Sequence, residues 1–435
     1  MTTIALTAVA IVAGITTTGA TAAPARTPAL ITSPIAVPGW GVEKVWNSSF
    51  DDWEPTIVAS ATDGWVYQAT TRLNGKPACK TCPAVAMVLR RSSDGGRTWD
   101  RRRFVCPCPG TQEQFDPQLA MSDDGSLYAA WLDGYKPGVT FSVSHDHGRT
   151  WSAPVAMPVP RSDKPVLVVS HDGQNVYIAL NRPKYGDNYV AQSHDGGATW
   201  TAARVLHSPR YYFAGSAWIS PDGTQIVFAE VDDNQHYTGV IHVDAIVSHD
   251  SGATWKRILV DTVARQPDCT SAGCYDGFYG SVSWVAGDSN GHLAIFYAGA
   301  TKPAGPQRVY VRRSRNGGLK WTHTRLALTP NGPNAVSLAA IGDPGGRLRM
   351  WSMDNRTGRF NIWYRTWNPK SNRWSGAVRI SNRVGGAPYK NAQGFLEDYG
   401  DYGGIAVTNT GKTIATWGEA PSYVGPGGTW LNLQK

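Results

Sequence analysis

The chain has 435 residues, 17% of them charged, and a formal net charge of +8. This charge is modest for the length, and the sequence shows neither a basic helix nor a clustered basic-aromatic module, so nucleic acid is not an expected partner. The length alone would allow two or three domains.

The N-terminus predicts export. The apolar run 4–13 and the small residues Ala20-Thr21-Ala22 are typical of a signal peptide and its cleavage site. This run is shorter than the roughly 20 residues that a membrane span needs, and no later segment is long and apolar enough. We therefore predict a signal peptide at 1–23, a leader at 24–40 and a secreted protein with no membrane span.

One eight-residue phrase recurs along the chain, and its spacing predicts a repeat architecture. The motif reads Ser-x-Asp-x-Gly-x-Thr-Trp, and its four clear copies are 92–99, 144–151, 193–200 and 248–255. A weaker fifth copy lies at 314–321, and a possible remnant lies at 368–374.

The phrase has the chemistry of a tight turn between two strands. Asp and Ser side chains can bond nearby amides, Gly supplies a positive φ, and Thr-Trp begins the next strand. With these residues the chain resembles the Asp-box (BNR) repeat proteins of the sialidase superfamily. That resemblance implies an all-β propeller, and it implies that the Asp-box residues are structural and not catalytic.

Seven innermost strands are predicted, one for each blade of four antiparallel strands. Because the last blade lacks an outermost strand, the segment 41–46 is expected to supply it and to close the ring, which removes free sheet edges. We predict one propeller domain over 41–435 with seven blades, and six blades, as in the sialidases, are the alternative. The predicted inner strands are 54–60, 116–122, 164–170, 214–220, 279–285, 334–340 and 402–408.

Six cysteines in an exported chain favour disulfides over a metal site. Cys79 and Cys82 belong to one mouth loop and Cys106 and Cys108 to a neighbouring one, so crossed pairs are expected there. The pair at 269 and 274 flanks a short loop and could bond to itself. The alternative hypothesis is a zinc site formed by the first four cysteines, those at 79, 82, 106 and 108. We expect no metal and no cofactor.

The candidate site is the channel mouth opposite the Asp-boxes, where the inner strands begin. Carboxylates, a lysine, tyrosines and aromatic rings converge there, and paired carboxyls serve as acid and base in sugar chemistry. The predicted catalytic residues are Glu54, Asp116, Tyr279, Asp401 and Tyr402, the last two as a nucleophile pair of the sialidase type. The predicted substrate-binding residues are Asp52, Trp53, Phe115, Lys164, Asn334 and Glu397.

The resemblance to sialidases weakens at the site itself. Sialidases carry an arginine in a Phe/Tyr-Arg-Ile-Pro phrase near the first inner strand, and this chain reads Trp53-Glu54-Pro55-Thr56 there. Three functions stay open: a sialidase-like glycoside hydrolase, which is the favoured reading, a lyase acting on uronate polysaccharides, and a non-catalytic propeller that binds glycan or protein. The expected partner is an extracellular glycan, and we expect a monomer.

Overall fold

The computed structural model describes most of the chain, and the description below concerns these residues alone. No α-helix occurs in them, and hence none that is long and apolar enough to cross a membrane. One 3-10 helix spans Pro183–Tyr185. The described residues are 37–46, 51–73, 82–105, 112–134, 137–233, 240–265, 282–343, 345–358, 360–381, 403–419 and 428–435.

Within each of the first three blades, consecutive strands pair antiparallel. Blade 1 contains β2 (Asp51–Ala59), β3 (Val66–Leu73), β4 (Ala86–Ser92) and β5 (Arg103–Phe104). Blade 2 contains β6 (Gln114–Met121), β7 (Leu127–Asp133), β8 (Gly138–Ser144) and β9 (Val155–Ala156). Blade 3 contains β10 (Asp163–Val169), β11 (Val176–Arg182), β12 (Asp187–Ser193) and β13 (Thr201–His207).

The next three blades repeat this meander, and blade 6 carries one additional short strand. Blade 4 contains β14 (Tyr211–Ile219), β15 (Ile226–Asp233), β16 (Val240–Ser248) and β17 (Lys256–Ala264). Blade 5 contains β18 (Ser283–Gly287), β19 (Leu293–Gly299), β20 (Arg308–Ser314) and β21 (Leu326–Ala327). Blade 6 contains β22 (Ala335–Gly342), β23 (Leu348–Asp354), β24 (Asn361–Asn368), β25 (Arg373–Trp374) and β26 (Val378–Arg379).

Blade 7 combines strands from the two ends of the sequence. It contains β27 (Gly404–Val407), β28 (Thr413–Glu419), β29 (Gly428–Leu433) and, as its outermost strand, β1 (Lys44–Val45). Lys44 pairs with Leu431 and Val45 with Trp430 in antiparallel register. The inner strands of neighbouring blades contact each other around the ring, including β27 with β2. The predicted all-β propeller with seven blades is confirmed, and the six-bladed alternative is excluded.

The Asp-box turns join the third and fourth strands of blades 1 to 5, as the copy in blade 3 illustrates. Asp195 accepts hydrogen bonds from the Thr199 amide (2.8 Å) and hydroxyl (2.6 Å), and these bonds lower the pKa of Asp195 to about 2. Gly197 has φ +96, and a Cβ there would lie 2.4 Å from the Phe141 ring of blade 2. Trp200 packs edge-on against the same ring. The Asp-box therefore stabilises its own turn and packs against the neighbouring blade.

The core lies between neighbouring blades. In β15, Phe228 packs towards Tyr177 of blade 3, whereas the adjacent Val227 and Ala229 pack towards Ile295 of blade 5. Because both faces of a strand are buried in this way, inner and middle strands are almost continuously apolar.

A narrow channel of about 220 Å³ runs through the centre of the ring. Its lining includes residues from the inner strands of all seven blades: Thr56, Gln118, Val166, Ser216, Val285, Ile341 and Ile405.

Candidate functional site

Three inner strands share an unusual backbone conformation close to where they begin. Glu54, Asp116 and Lys164 have φ values of 53°, 53° and 49°, in the left-handed region that non-glycine residues rarely adopt. Each residue precedes a proline, and each lies where the register of the inner strand shifts against its neighbour. Such strain costs about 1–3 kcal/mol per residue and is often found at functional sites. The same bulge thus presents a charged side chain in blades 1, 2 and 3.

Glu54 is buried, and its hydrogen bonds come from two blades. Its Oε2 accepts a hydrogen bond from the Thr71 hydroxyl (2.7 Å) and another from the Asp116 amide (2.7 Å). Only 4% of the residue is exposed. Burial, with the neighbouring Asp116 charge as the second cause, raises the pKa of Glu54 well above its ordinary value, although Lys164 and the hydrogen bonds act in the opposite direction. Glu54 therefore has the character of a carboxylic acid that keeps its proton.

Asp116 lies between Glu54 and two groups of blade 3. The Lys164 ammonium is 3.9 Å from Asp116 Oδ1. Asp163 accepts a hydrogen bond from the Lys164 amide (2.8 Å), and its carboxyl lies close to that of Asp116. Burial and the Asp116 charge raise the pKa of Asp163 to about 7. Three carboxyls with a single ammonium cannot all be ionised cheaply, so protons are shared among them.

This group, which we call the carboxyl cluster (Glu54, Asp116, Asp163 and Lys164), lies at one end of the channel. The channel-lining residues Thr56, Gln118 and Val166 follow cluster residues by two positions on the same strands. The Lys164 side chain is 16% exposed, and Asp163 is partly exposed. The structure thus brings together three residues predicted from the sequence. It adds Asp163, which was not among the predicted site residues.

The other predicted residues within the described ranges have different surroundings. Asp52 is fully buried and pairs with Arg72 through two hydrogen bonds of 2.6 and 2.7 Å. Phe115 is partly buried against the core cluster that includes Trp351. Asn334, in blade 6, accepts a hydrogen bond from the Gln307 amide (2.8 Å).

Several predicted residues lie outside the described part of the chain. They are Tyr279, Glu397, Asp401 and Tyr402, and the side chain of Trp53 belongs with them. Of the six cysteines only Cys82 is described, and it is buried. The sialidase-type nucleophile pair and the disulfide pairing therefore stay predictions. In the described ranges, no group of three or more His, Cys, Asp or Glu residues is placed to hold a metal ion.

A second polar group, which the sequence reasoning missed, lies between blades 3 and 4. Glu230 and Asp244 are paired across β15 and β16, and both are buried. Arg257 donates a hydrogen bond to Asp244 (2.9 Å), and Asn188 of β12 lies close to the Glu230 carboxyl. Burial raises the pKa of Glu230 to about 7. The sequence feature that could have revealed this group is Glu230-x-Asp232, two acidic residues spaced to lie on one face of an otherwise apolar strand.

Glu230 predicts a dependence of stability on pH. Its folded pKa of about 7 exceeds the ordinary value of 4.5, so the folded protein binds the proton more tightly than the unfolded chain does. The resulting contribution, about 3 kcal/mol, is complete below pH 4.5 and is lost as the pH rises through 7. Glu230→Gln is expected to raise the free energy of unfolding at pH 9 relative to wild type, and to raise it much less at pH 5. Urea unfolding of wild type and variant at pH 5 and pH 9 measures the two differences in the free energy of unfolding. Equal differences at the two pH values would contradict the prediction.

Comparisons with known proteins support the repeats and the fold. A family model described as a BNR repeat-like domain matches residues 77–185. A search of curated proteins found no match. The crystal structure of a protein of unknown function from Dyadobacter fermentans is similar over 91% of this chain and 99% of its own, with 16% identity and a TM-score of 0.51. The predicted resemblance to BNR-repeat propellers of the sialidase type is confirmed at the level of repeats and fold.

Two enzymes of known activity are similar at lower scores. An intramolecular trans-sialidase from Ruminococcus gnavus aligns over 81% of this chain and 98% of its own, with 12% identity and a TM-score of 0.49. An alpha-L-arabinanase from Penicillium chrysogenum aligns over 74% and 92%, with 16% identity and a TM-score of 0.43. At these scores the activities of the two enzymes do not transfer to this chain.

Proposed function

We propose that the protein is a secreted, glycan-active propeller that hydrolyses glycosidic bonds at the carboxyl cluster. The observation that carries the proposal is Glu54, a buried acid with a raised pKa that accepts a hydrogen bond from the Asp116 amide. Glycoside hydrolases use such a pair, one carboxyl that holds a proton and one that is ionised. The end of a channel is also where a concave site for a sugar is expected.

We assign a role to Glu54, Asp116 and Lys164. Since Glu54 Oε2 already accepts two hydrogen bonds, its proton belongs on Oε1, from which it passes to the glycosidic oxygen as the C–O bond breaks. Asp116 either removes a proton from the water that bonds to the anomeric carbon, or bonds to that carbon itself. The Lys164 ammonium, 3.9 Å from Asp116 Oδ1, offsets part of the negative charge of the cluster.

A uronate lyase fits this cluster less well. Such an enzyme needs positive charge facing the substrate carboxylate, whereas here three carboxyls surround one ammonium that already lies beside Asp116. A sialidase is the narrower form of the hydrolase proposal, and its support is the BNR repeat. The segment 53–56 lacks the arginine phrase of that family. Sialosides are therefore one substrate class among several to be tested.

A product screen tests the proposal. Purified protein is incubated with sialosides, other aryl glycosides and uronate polysaccharides, and both released sugar and the absorbance of unsaturated ends are measured. Released sugar is the expected result, and the anomeric form of the first product tells whether Asp116 acts as base or as nucleophile. Unsaturated ends would instead establish the lyase. Tight glycan binding with no product would favour the non-catalytic propeller.

A further inference from the structure

A second cavity, of about 460 Å³, lies between blades 7 and 1 at the rim opposite the carboxyl cluster. It is lined by residues from five parts of the chain: 41–44, Gly64, the Asp-box 94–97, the turn 409–412 and the strand end 431–435. The Gly95 amide bonds the Gly64 carbonyl (2.8 Å), which places this Asp-box beside the turn that follows inner strand β2. The cavity is therefore separate from the proposed catalytic mouth.

The way the ring closes explains why a cavity forms here. In blades 1 to 5 an Asp-box turn joins the third and fourth strands, but in blade 7 these strands, β29 and β1, come from distant parts of the sequence. Their ends continue as an antiparallel ribbon. The Gly41 amide donates a hydrogen bond to the Leu433 carbonyl (2.8 Å), and the Lys435 amide donates one to the Gly39 carbonyl (2.9 Å). No Asp-box occupies this position, and the ribbon forms one wall of the cavity instead.

The charge of the lining is strongly positive. Its four basic residues are Lys44, Arg97, Lys412 and Lys435, and its one acidic residue is Asp94. The Asp94 carboxylate already accepts hydrogen bonds from the Thr98 amide (2.9 Å) and hydroxyl (2.6 Å). The Lys44 ammonium donates to the Arg97 carbonyl (3.1 Å), and that of Lys412 donates to the main-chain carboxyl oxygen of Lys435 (2.6 Å). Both ammonium groups are thus held at the cavity, and each has hydrogen-bond donors left over.

Apolar side chains complete the lining. Val42 is 50% exposed, Leu433 is partly buried, and Leu431 is buried beneath them. The volume falls in the range of small-molecule sites and far exceeds what one inorganic anion fills. A ligand that matches this lining has an apolar face and at least one anionic group.

We propose that this cavity binds an acidic sugar unit through its carboxylate or sulfate group. The lysines at 44 and 412 pair with the anion, and the sugar ring lies against Val42 and Leu433. The binding inference does not depend on the mouth being catalytic, because the two sites share no residue.

Calorimetry with glucuronate, glucose 6-sulfate, glucose and inorganic sulfate tests the proposal. Binding of one or both acidic sugars is expected, with an affinity that falls as salt is added. Lys412→Glu is expected to weaken that binding about tenfold or more through loss of a charge-assisted hydrogen bond. Lys320→Glu, which changes an exposed lysine in the Asp-box of blade 5, is the matched control and should bind like wild type.

Three results would overturn the proposal. They are equal binding of neutral glucose, equal binding of inorganic sulfate, and an affinity for acidic sugars that Lys412→Glu leaves unchanged. Lys412→Gln checks folding, since removal of one charge from an exposed turn residue should leave the thermal midpoint near that of wild type and still weaken binding. Product formation at the mouth is measured separately, so failure of the catalytic proposal remains distinguishable from failure of this one.

Discussion

Glu54→Gln is expected to lower kcat by about 10²–10⁴-fold on any substrate that the protein hydrolyses. The amide is nearly isosteric, and its oxygen can still accept the hydrogen bonds from Thr71 and Asp116, so the fold and the KM should change little. What the variant loses is the proton that the leaving oxygen needs. Initial rates on the substrate found in the product screen, together with the thermal midpoint, measure both effects.

The pH profile distinguishes an acid from a merely structural carboxyl. Because Glu54 donates only while protonated, wild-type kcat should fall as the pH rises through the raised pKa of Glu54, and the variant should lack this limb. Glu230→Gln is the matched control, since it removes another buried carboxyl of raised pKa, between blades 3 and 4, and should retain kcat. Full activity of Glu54→Gln would remove Glu54 from the mechanism, and Asp116→Asn would then be the next variant to examine.

The fold was predictable because the repeat specifies it locally. Each Asp-box contains its own turn: Asp195 and Thr199 bond within five residues, and Gly197 has the positive φ that the turn requires. Such short-range chemistry can be recognised without knowledge of distant contacts. The seven predicted inner strands then give the blade count, and ring closure follows from the missing strand of the last blade.

The site was predictable in position but not in its interactions. Aligning the repeats places Glu54, Asp116 and Lys164 at equivalent points of neighbouring strands, and neighbouring strands of a closed ring are close in space. The proximity of the Asp163 and Asp116 carboxyls depends on the bulges, which shift the register by an amount that the sequence pattern does not show. The pairing of Asp52 with Arg72 was missed for a related reason, since it joins two strands of one blade.

Arg72→Met is expected to lower the free energy of unfolding by about 3–5 kcal/mol, because it leaves Asp52 charged, buried and without its guanidinium. The side chains of Asp52 and Arg72 are 0% and 2% exposed, so water does not reach the Asp52 carboxylate in the folded state. The double variant Asp52→Leu/Arg72→Met removes both charges, and it should recover much of the loss because buried ion pairs are often replaceable by apolar side chains. Urea unfolding of wild type and both variants at pH 7 measures the two changes.

The same pair of variants decides between a structural and a functional role for Asp52. If Asp52 serves only the ion pair, the double variant should regain stability and keep the kcat/KM of wild type on a substrate from the screen. If Asp52 binds substrate, as its place at the mouth predicts, the double variant should regain stability and still lose kcat/KM. If Arg72→Met alone were as stable as wild type, the argument that the ion pair stabilises the fold would be contradicted.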